Sequence, residues 1–342
     1  MPTPIPSRKD HTIGRFNPQA QIIWDYVSAS PLRSLWDLQG APVLVIVKRT
    51  FKAFNQDNLL SRAAELGFYF LFALFPTLVT ATSILGLVAR RASTFYVELL
   101  KYLALVIPHS AFLIVLDTFN QTTTSATGDK ITFGLAAALW SASVGFSAIQ
   151  DTLNTVYKVK ESRPYWKARG SAILVTLLLA VITTLTLATL LSADYLARFA
   201  HRYIHHPLIA MIAVISLRSF CWIITLAFIT LFFAVIYYFA PDVKASRWRW
   251  LTPGAAIGII GWLAASLIFR AYLHYFDFFS LTYGSLAAVI ILLMWFYITG
   301  LMLLLGAEIN SEIEAAATEK RLHATHQLPP DVTADPDLPI IP

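Results

Sequence analysis

Charge is what this chain has least of. Only 13 % of its 342 residues are Asp, Glu, Lys or Arg, about half the share that keeps a globular surface in water. That excludes a water-soluble domain. Cysteine is nearly absent: Cys221 stands alone, so no disulfide can form within the chain and no redox compartment can be inferred. Residues 1–42 hold no continuous apolar core of signal-peptide length, so insertion is expected to rely on a later span that is kept. Enzyme signatures are missing as well. There is no Walker-type phosphate loop, no G-x-S-x-G and no H-E-x-x-H, nor a carboxylate cluster arranged for two-metal nuclease chemistry. No catalytic residue, metal site or cofactor is therefore expected. Without an ATP site, active transport would need an ion gradient or another subunit.

What the chain has instead is apolar sequence, 57 % of all residues. A bilayer core takes roughly 20 residues of helix, and six stretches qualify: 66–89, 131–149, 171–192, 219–239, 254–275 and 286–307. The expected fold is an all-α polytopic transmembrane helix bundle occupying residues 43–315. It lies between a polar cytoplasmic N-terminal region, 1–42, and a disordered Pro-rich tail, 316–342. From Pro42 to Leu60, Leu44, Val47, Phe51 and Phe54 take one side and Lys48, Lys52 and Gln56 the other, the pattern of a helix lying in the membrane interface. Residues 193–206 read as a second interfacial helix. His201 and His205 there are one turn apart but have no carboxylate or thiolate at matching spacing. Arg218 divides the apolar run 207–239 into a short helix and a span. Residues 90–130 read as short outer or re-entrant helices, with a seventh crossing over 95–118 as the rival. Gly254, Gly258 and Gly261 form a small-residue face that permits close helix approach.

The net charge of +6 follows from topology. On the six-span arrangement, 18 of the 26 Lys and Arg fall on the side of the termini, which places both termini in the cytoplasm. The basic residues are scattered between apolar spans, so nucleic acid is not an expected partner. Membrane lipids are, and a homo-oligomer is left open.

One stretch combines both characters. Residues 131–149 are apolar and Ala-rich, and polar sequence follows with no obvious helix breaker, ending in KVKESRPYWKAR. If the helix continues, Ser143, Ser147, Gln150, Asn154 and Tyr157 share one face. Lipid does not tolerate such a stripe, so it faces other helices or a hydrated cavity. Two readings stand: hydrogen-bonding glue between helices, at about 1 kcal/mol per bond, or the wall of a solute path. Arg62, Glu65, Asp242, Glu308 and Asn310 reach the same side from other spans, and Arg163, Lys167 and Arg169 add to them. Arg218 and Arg270 sit at the outer ends, where they snorkel or hold an anionic headgroup.

Four segments carry a resemblance: RAAELGFYFLFALFP (62–76), LWSASVGFSAIQDTLNTVYKVKESRPYWKAR (139–169), YYFAPD (237–242) with Trp250 and Pro253–Gly254 behind it, and YGSLAAVIILLMWFYITGLMLLLGAEIN (283–310). In order and spacing the chain resembles the YihY / virulence factor BrkB-like integral membrane proteins, once labelled ribonuclease BN. Glu65 and Gly67 depart from the pattern, standing where many relatives carry small residues. The resemblance implies a bacterial inner-membrane protein of about six spans with no agreed activity. It marks Pro76, Trp140, Ser141, Ser143, Gln150, Asn154, Tyr157, Arg163, Tyr283, Gly284, Trp295, Gly306 and Glu308 as candidates. The function expected is a transporter or flippase-like translocator of an amphiphilic, anionic, lipid-type solute. The alternative is a non-transporting scaffold for envelope assembly.

Overall fold

A computed structural model describes residues 18–29, 35–36, 42–89, 128–203, 206–243, 247–275 and 285–324. Every element among them is a helix: α1 Pro18–Ala29, α2 Val43–Gln56, α3 Leu59–Ala89, α4 Gly128–Val156, α5 Tyr165–Tyr203, α6 Pro207–Phe239, α7 Pro253–Tyr275 and α8 Ser285–Ala324. Five of them, α4 to α8, are long and apolar enough to cross a bilayer. Helix α3 covers the remaining expected span, 66–89, and its side chains are described up to Leu74. The stretch expected to re-enter or cross, 95–118, lies outside the described residues, as does the tail after Ala324.

Several boundaries differ from the sequence reading. Helix α4 runs through the apolar-to-polar transition to Val156, so Ser143, Ser147, Gln150 and Asn154 lie on one continuous helix and Tyr157 follows its last residue. Helix α5 does not stop near Ser192; it continues to Tyr203, with no Gly or Pro to end it. The apolar run after Pro207 is one rod of about 50 Å, started by Pro207 at its first position and undivided by Arg218. A helix tolerates arginine, and only the hydropathy profile dips there. The last correction is the largest. Residues 316–324, assigned to a disordered tail, are the final turns of α8, held because Ala315, Ala316, Ala317 and Leu322 are buried.

Helix α8 is the axis of the fold, packing against α3, α7, α2, α1 and α4, while α5 and α6 pair beside it. The main core joins Leu59 and Leu66 of α3, Ile149 and Leu153 of α4, Ile236 of α6 and Leu303 and Leu304 of α8. The tightest seam is between α7 and α8. A Cβ on Gly254 would stand 1.9 Å from the carbonyl oxygen of Gly306, and one on Gly306 would stand 2.5 Å from that of Gly254. Tyr237 closes the seam by donating to the Leu303 carbonyl at 2.8 Å. On the outside, Leu174, Ile212, Ile223, Leu267 and Ile268 are exposed, as lipid-facing side chains should be.

At one end a second layer is added. Ile23, Trp24 and Val27 of α1 meet Ala315 and Leu322, and Leu35 and Ile46 meet Ile313, Ala316 and Ala317. The N-terminal region is therefore more than a polar leader, because α1 docks on the part of α8 that continues beyond the apolar span.

Candidate functional site

The stripe on α4 is buried. Ser143, Gln150, Asn154 and Tyr157 are all nearly inaccessible, and Ser147 is half-buried. Ser143 donates to the Trp140 carbonyl at 2.7 Å and Ser147 to the Ser143 carbonyl at 3.0 Å. Gln150 donates to the Ser171 hydroxyl of α5 at 3.0 Å. Arg169 reaches back from α5 to donate to the Ser147 hydroxyl at 3.2 Å, its guanidinium 4.2 Å above the Trp140 ring, a cation–π contact. Burial pushes the Tyr157 hydroxyl well above its ordinary value.

Below the stripe, the α4–α5 loop forms a clasp. Asn154 donates to Glu161 at 2.8 Å and accepts the backbone N–H of Asp242 at 2.7 Å. Both the N–H and the hydroxyl of Ser162 bond the Asp242 carboxylate, at 2.7 and 2.6 Å. Arg163 forks onto Glu161 with two contacts of 2.7 Å and donates to the Ala240 carbonyl at the end of α6 at 3.1 Å. It thus meets an orphan carbonyl and the negative end of the helix dipole. The hydrogen bonds from Arg163 hold the Glu161 carboxyl below the usual carboxylate range, and Glu161 in turn raises Arg163.

Glu308 lies elsewhere. Arg163 is not among the charges that act on it; Asp57, Lys158 and Glu312 are. Glu308 is fully buried, and neither carboxylate oxygen has a hydrogen-bond partner in the described structure. Beside it, Lys158 bridges to Asp57, both side chains largely buried. Burial pushes the Asp57 carboxyl up, and Lys158 opposes the shift.

Further along α8, Arg49 of α2 makes a two-pronged bridge to Glu319 at 2.8 and 3.1 Å, with both side chains inaccessible. Arg249 pairs with Glu314 at 2.9 Å. Asn310 accepts the Gly254 N–H at 2.9 Å and donates to Thr252 at 2.9 Å, while Thr252 caps α7 by accepting the Ala255 N–H at 3.1 Å. These bonds pin α2 and the start of α7 to α8.

The pinned elements leave a groove between them. A cavity of about 600 Å³ is lined by Val43, Ile46, Val47 and Phe51 of α2, Pro253 and Ile257 of α7, and Leu305, Ile309 and Ile313 of α8, with Trp36 at its edge. That is the size of a ligand pocket, and its lining is almost wholly apolar. Val43, Val47, Phe51 and Ile257 are exposed, so the groove opens outward. The Trp36 indole donates to the Leu251 carbonyl at 2.9 Å. Lys48, on the side of α2 away from this lining, and Arg247, in the loop before α7, are exposed.

The two outer arginines, Arg218 and Arg270, are exposed. Arg218 edges a separate cavity of about 420 Å³ with Leu190, Ala193, Cys221 and Trp222. Arg270 is not part of that lining. Among the described residues no group of three or more His, Cys, Asp or Glu is placed to hold a metal ion.

With this geometry in view, sequence comparison decides the family. The profile of the family described as Virulence factor BrkB matches residues 50–329. The chain belongs to that family. The chain is similar to the ribonuclease-like protein YfkH of Bacillus subtilis, 31 % identical over 78 % of this chain and 94 % of that one. UPF0761 membrane proteins of Xanthomonas campestris are 27 % identical over 78 % of this chain and 60 % of their own length, and one of Xanthomonas oryzae is 26 % identical over the same shares. The chain thus spans well under two thirds of the Xanthomonas proteins it matches. No solved structure matches it. The matched region takes in α3 to α8 and the end of α2, so of the polar groups above only Trp36, Lys48 and Arg49 lie outside the BrkB part.

Sequence reasoning named Gln150, Asn154, Arg163 and Glu308 but missed Asp57, Lys158 and the Arg49–Glu319 pair. A signal was present. Ile46, Arg49, Thr50 and Ala53 share one face of α2, so the arginine lies inside an apolar stripe. The apolar period of α8 also continues past Glu308 through Ile309, Ile313, Ala316 and Ala317.

Proposed function

We propose that this multi-pass membrane protein handles a membrane amphiphile, as a transporter or flippase-like translocator of an anionic lipid-type molecule. Its setting is the bacterial inner membrane, and both termini face the cytoplasm in accordance with the basic asymmetry of the sequence. The groove between α2, α7 and α8 carries the reading. It is an open apolar slot with a capacity of about 600 Å³, sufficient for acyl chain. Trp36 lines the slot, an amphipathic ring of the kind that sits at headgroup level. Water-soluble solutes have no use for such a lining.

The test is transbilayer movement of a fluorescent anionic phospholipid in liposomes containing only this protein. Movement above the protein-free rate is expected, falling when Val47→Trp fills the groove. If neither protein moves lipid, the translocator reading fails.

A second reading has an observation of its own. The stripe of α4 uses its polar groups to join α4 to α5 and to the end of α6, which suits a non-transporting scaffold for envelope assembly. Lipid retained in the groove during purification, without flux, would favour it.

A further inference from the structure

We propose that Glu308 is a proton-binding site, and that its proton decides which carboxylate Lys158 serves. Three observations converge on it. The first is Glu308 itself, a carboxyl with no exposed surface and no hydrogen-bond partner on either oxygen in the described structure. Leaving an ionised carboxylate buried without donors is among the most costly arrangements a protein can hold, whereas the protonated form costs far less.

The second is the neighbouring charge. The groups facing Glu308 are Asp57 from the α2–α3 junction, Lys158 and Tyr157 from the end of α4, and Glu312 one turn further on α8. Arg62 acts on Asp57 from α3. Among the described residues Lys158 is the cation that acts on Glu308, and it is already bridged to Asp57. One ammonium therefore stands among several carboxyls, and a proton on Glu308 removes the competition for it.

The third is the backbone. Asn58 and Lys158 are the only non-glycine residues with positive φ among the described residues, at 54° and 53°. Each follows a helix end, and both belong to the same ion pair's surroundings: Asn58 adjoins Asp57, and Lys158 is its partner. Lys158 closes α4 in a Schellman turn: its own N–H bonds the Thr155 carbonyl at 3.0 Å and the Val159 N–H bonds that of Asn154 at 2.9 Å. Glycine normally takes that position. A lysine held there meets the steric cost of left-handed backbone that glycine escapes, and such strain collects at switches and ligand sites.

The chemistry balances simply. With Glu308 protonated, Lys158 neutralises Asp57 and ties the α2–α3 junction to the end of α4. When the proton leaves to water, Glu308 becomes a carboxylate and draws the ammonium, and the tie to Asp57 loosens. Helix α2 forms one wall of the groove, so the proton acts on the groove through α2. This part rests on the amphiphile reading and names a proton gradient as the energy source for a chain with no nucleotide-binding motif.

Infrared spectroscopy of the protein in lipid nanodiscs reads the carboxyl directly. At neutral pH the intact protein should show a protonated-carboxyl C=O band that is missing in Glu308→Gln and moved in Glu308→Asp, which serves if the glutamine variant does not fold. The band should vanish as pH rises. In Asp57→Asn, which frees Lys158 for Glu308, it should vanish at a pH lower by one unit or more, a tenfold weaker hold on the proton. A band unchanged in both Glu308 variants, or an unmoved titration in Asp57→Asn, would overturn the proposal. No transported molecule is needed, so failure here leaves the lipid flux result standing, and absence of flux leaves this one standing.

Discussion

The stripe of α4 and the groove beside α2 lie toward the same end of one bundle, yet they differ in what they leave unsatisfied. The stripe is polar and closed: Gln150 meets Ser171, and Asn154 bridges Glu161 to the Asp242 backbone. The groove is apolar and open, with Val47 and Phe51 exposed on its rim. In water the polar surface would be the one seeking a ligand. In a membrane the relation reverses, since a polar group inside the bundle must find its partner within the protein, and an apolar recess facing lipid has no further protein to cover it. On the proposed function, the place where a molecule would enter is thus marked by missing neighbours rather than by polarity.

The strongest way to break the comparison is to release the groove wall. Arg49→Ala leaves Glu319 buried without its partner and should cost about 3–5 kcal/mol, read as thermal unfolding in nanodiscs. Replacing both, Arg49→Met with Glu319→Leu, should recover most of that loss. If the single variant is as stable as the parent, Arg49 and Glu319 do not hold α2 in place.

The next effect is at the other wall. Gly254→Ala puts a methyl group into the Gly306 carbonyl and should cost about 1–3 kcal/mol by overpacking. Gly170→Ala, where no atom lies within 4 Å, should be neutral or slightly stabilising in the same assay.

A smaller loss is expected on the stripe. Asn154→Leu removes bonds to Glu161 and Asp242 and should weaken the bundle by about 1 kcal/mol. Val47→Trp in the groove should leave stability unchanged and reduce lipid flux. A flux loss in Asn154→Leu without loss of stability would move the functional surface to the stripe.

The smallest effect is electrostatic. Glu161 is held below its ordinary value of 4.5 by Arg163. The clasp is therefore fully effective above that value and weakens as pH falls through the lower, folded-state value. Arg163→Gln should flatten the acid limb of the stability profile, with little change at neutral pH.

Much of this organisation could be read from sequence, and the parts that could not share a cause. Apolar runs of bilayer length announce spans, so the all-α bundle was legible, as was the shared face from Ser143 to Tyr157. Charges at span ends were also visible, but their partners were not. Arg163 falls on the same side as Glu308 in the sequence, yet it closes on Glu161 two residues away. Glu319 fell in a tail judged by its prolines, although those begin only at Pro329 and the preceding Ala-rich turns belong to α8. Hydropathy also hid the groove. Leu44, Val47 and Phe51 predict a helix resting in the interface, but nothing in α2 alone shows that Ile257 and Ile309 stand behind it.

Cysteine accessibility tests most directly the claim that the groove is open and the stripe closed. In a Cys221→Ala background, single cysteines replace Val47 and Phe51 in the groove, and Ser143, Gln150 and Asn154 on the stripe. The folded protein in membranes is then treated with a lipid-confined maleimide and, separately, with a small water-soluble one. Groove cysteines should react with the lipid-confined reagent and be shielded by added anionic phospholipid, while stripe cysteines resist both. Ready reaction of the stripe cysteines with the water-soluble reagent, with the groove positions protected, would contradict the account and make α4 the wall of a hydrated path.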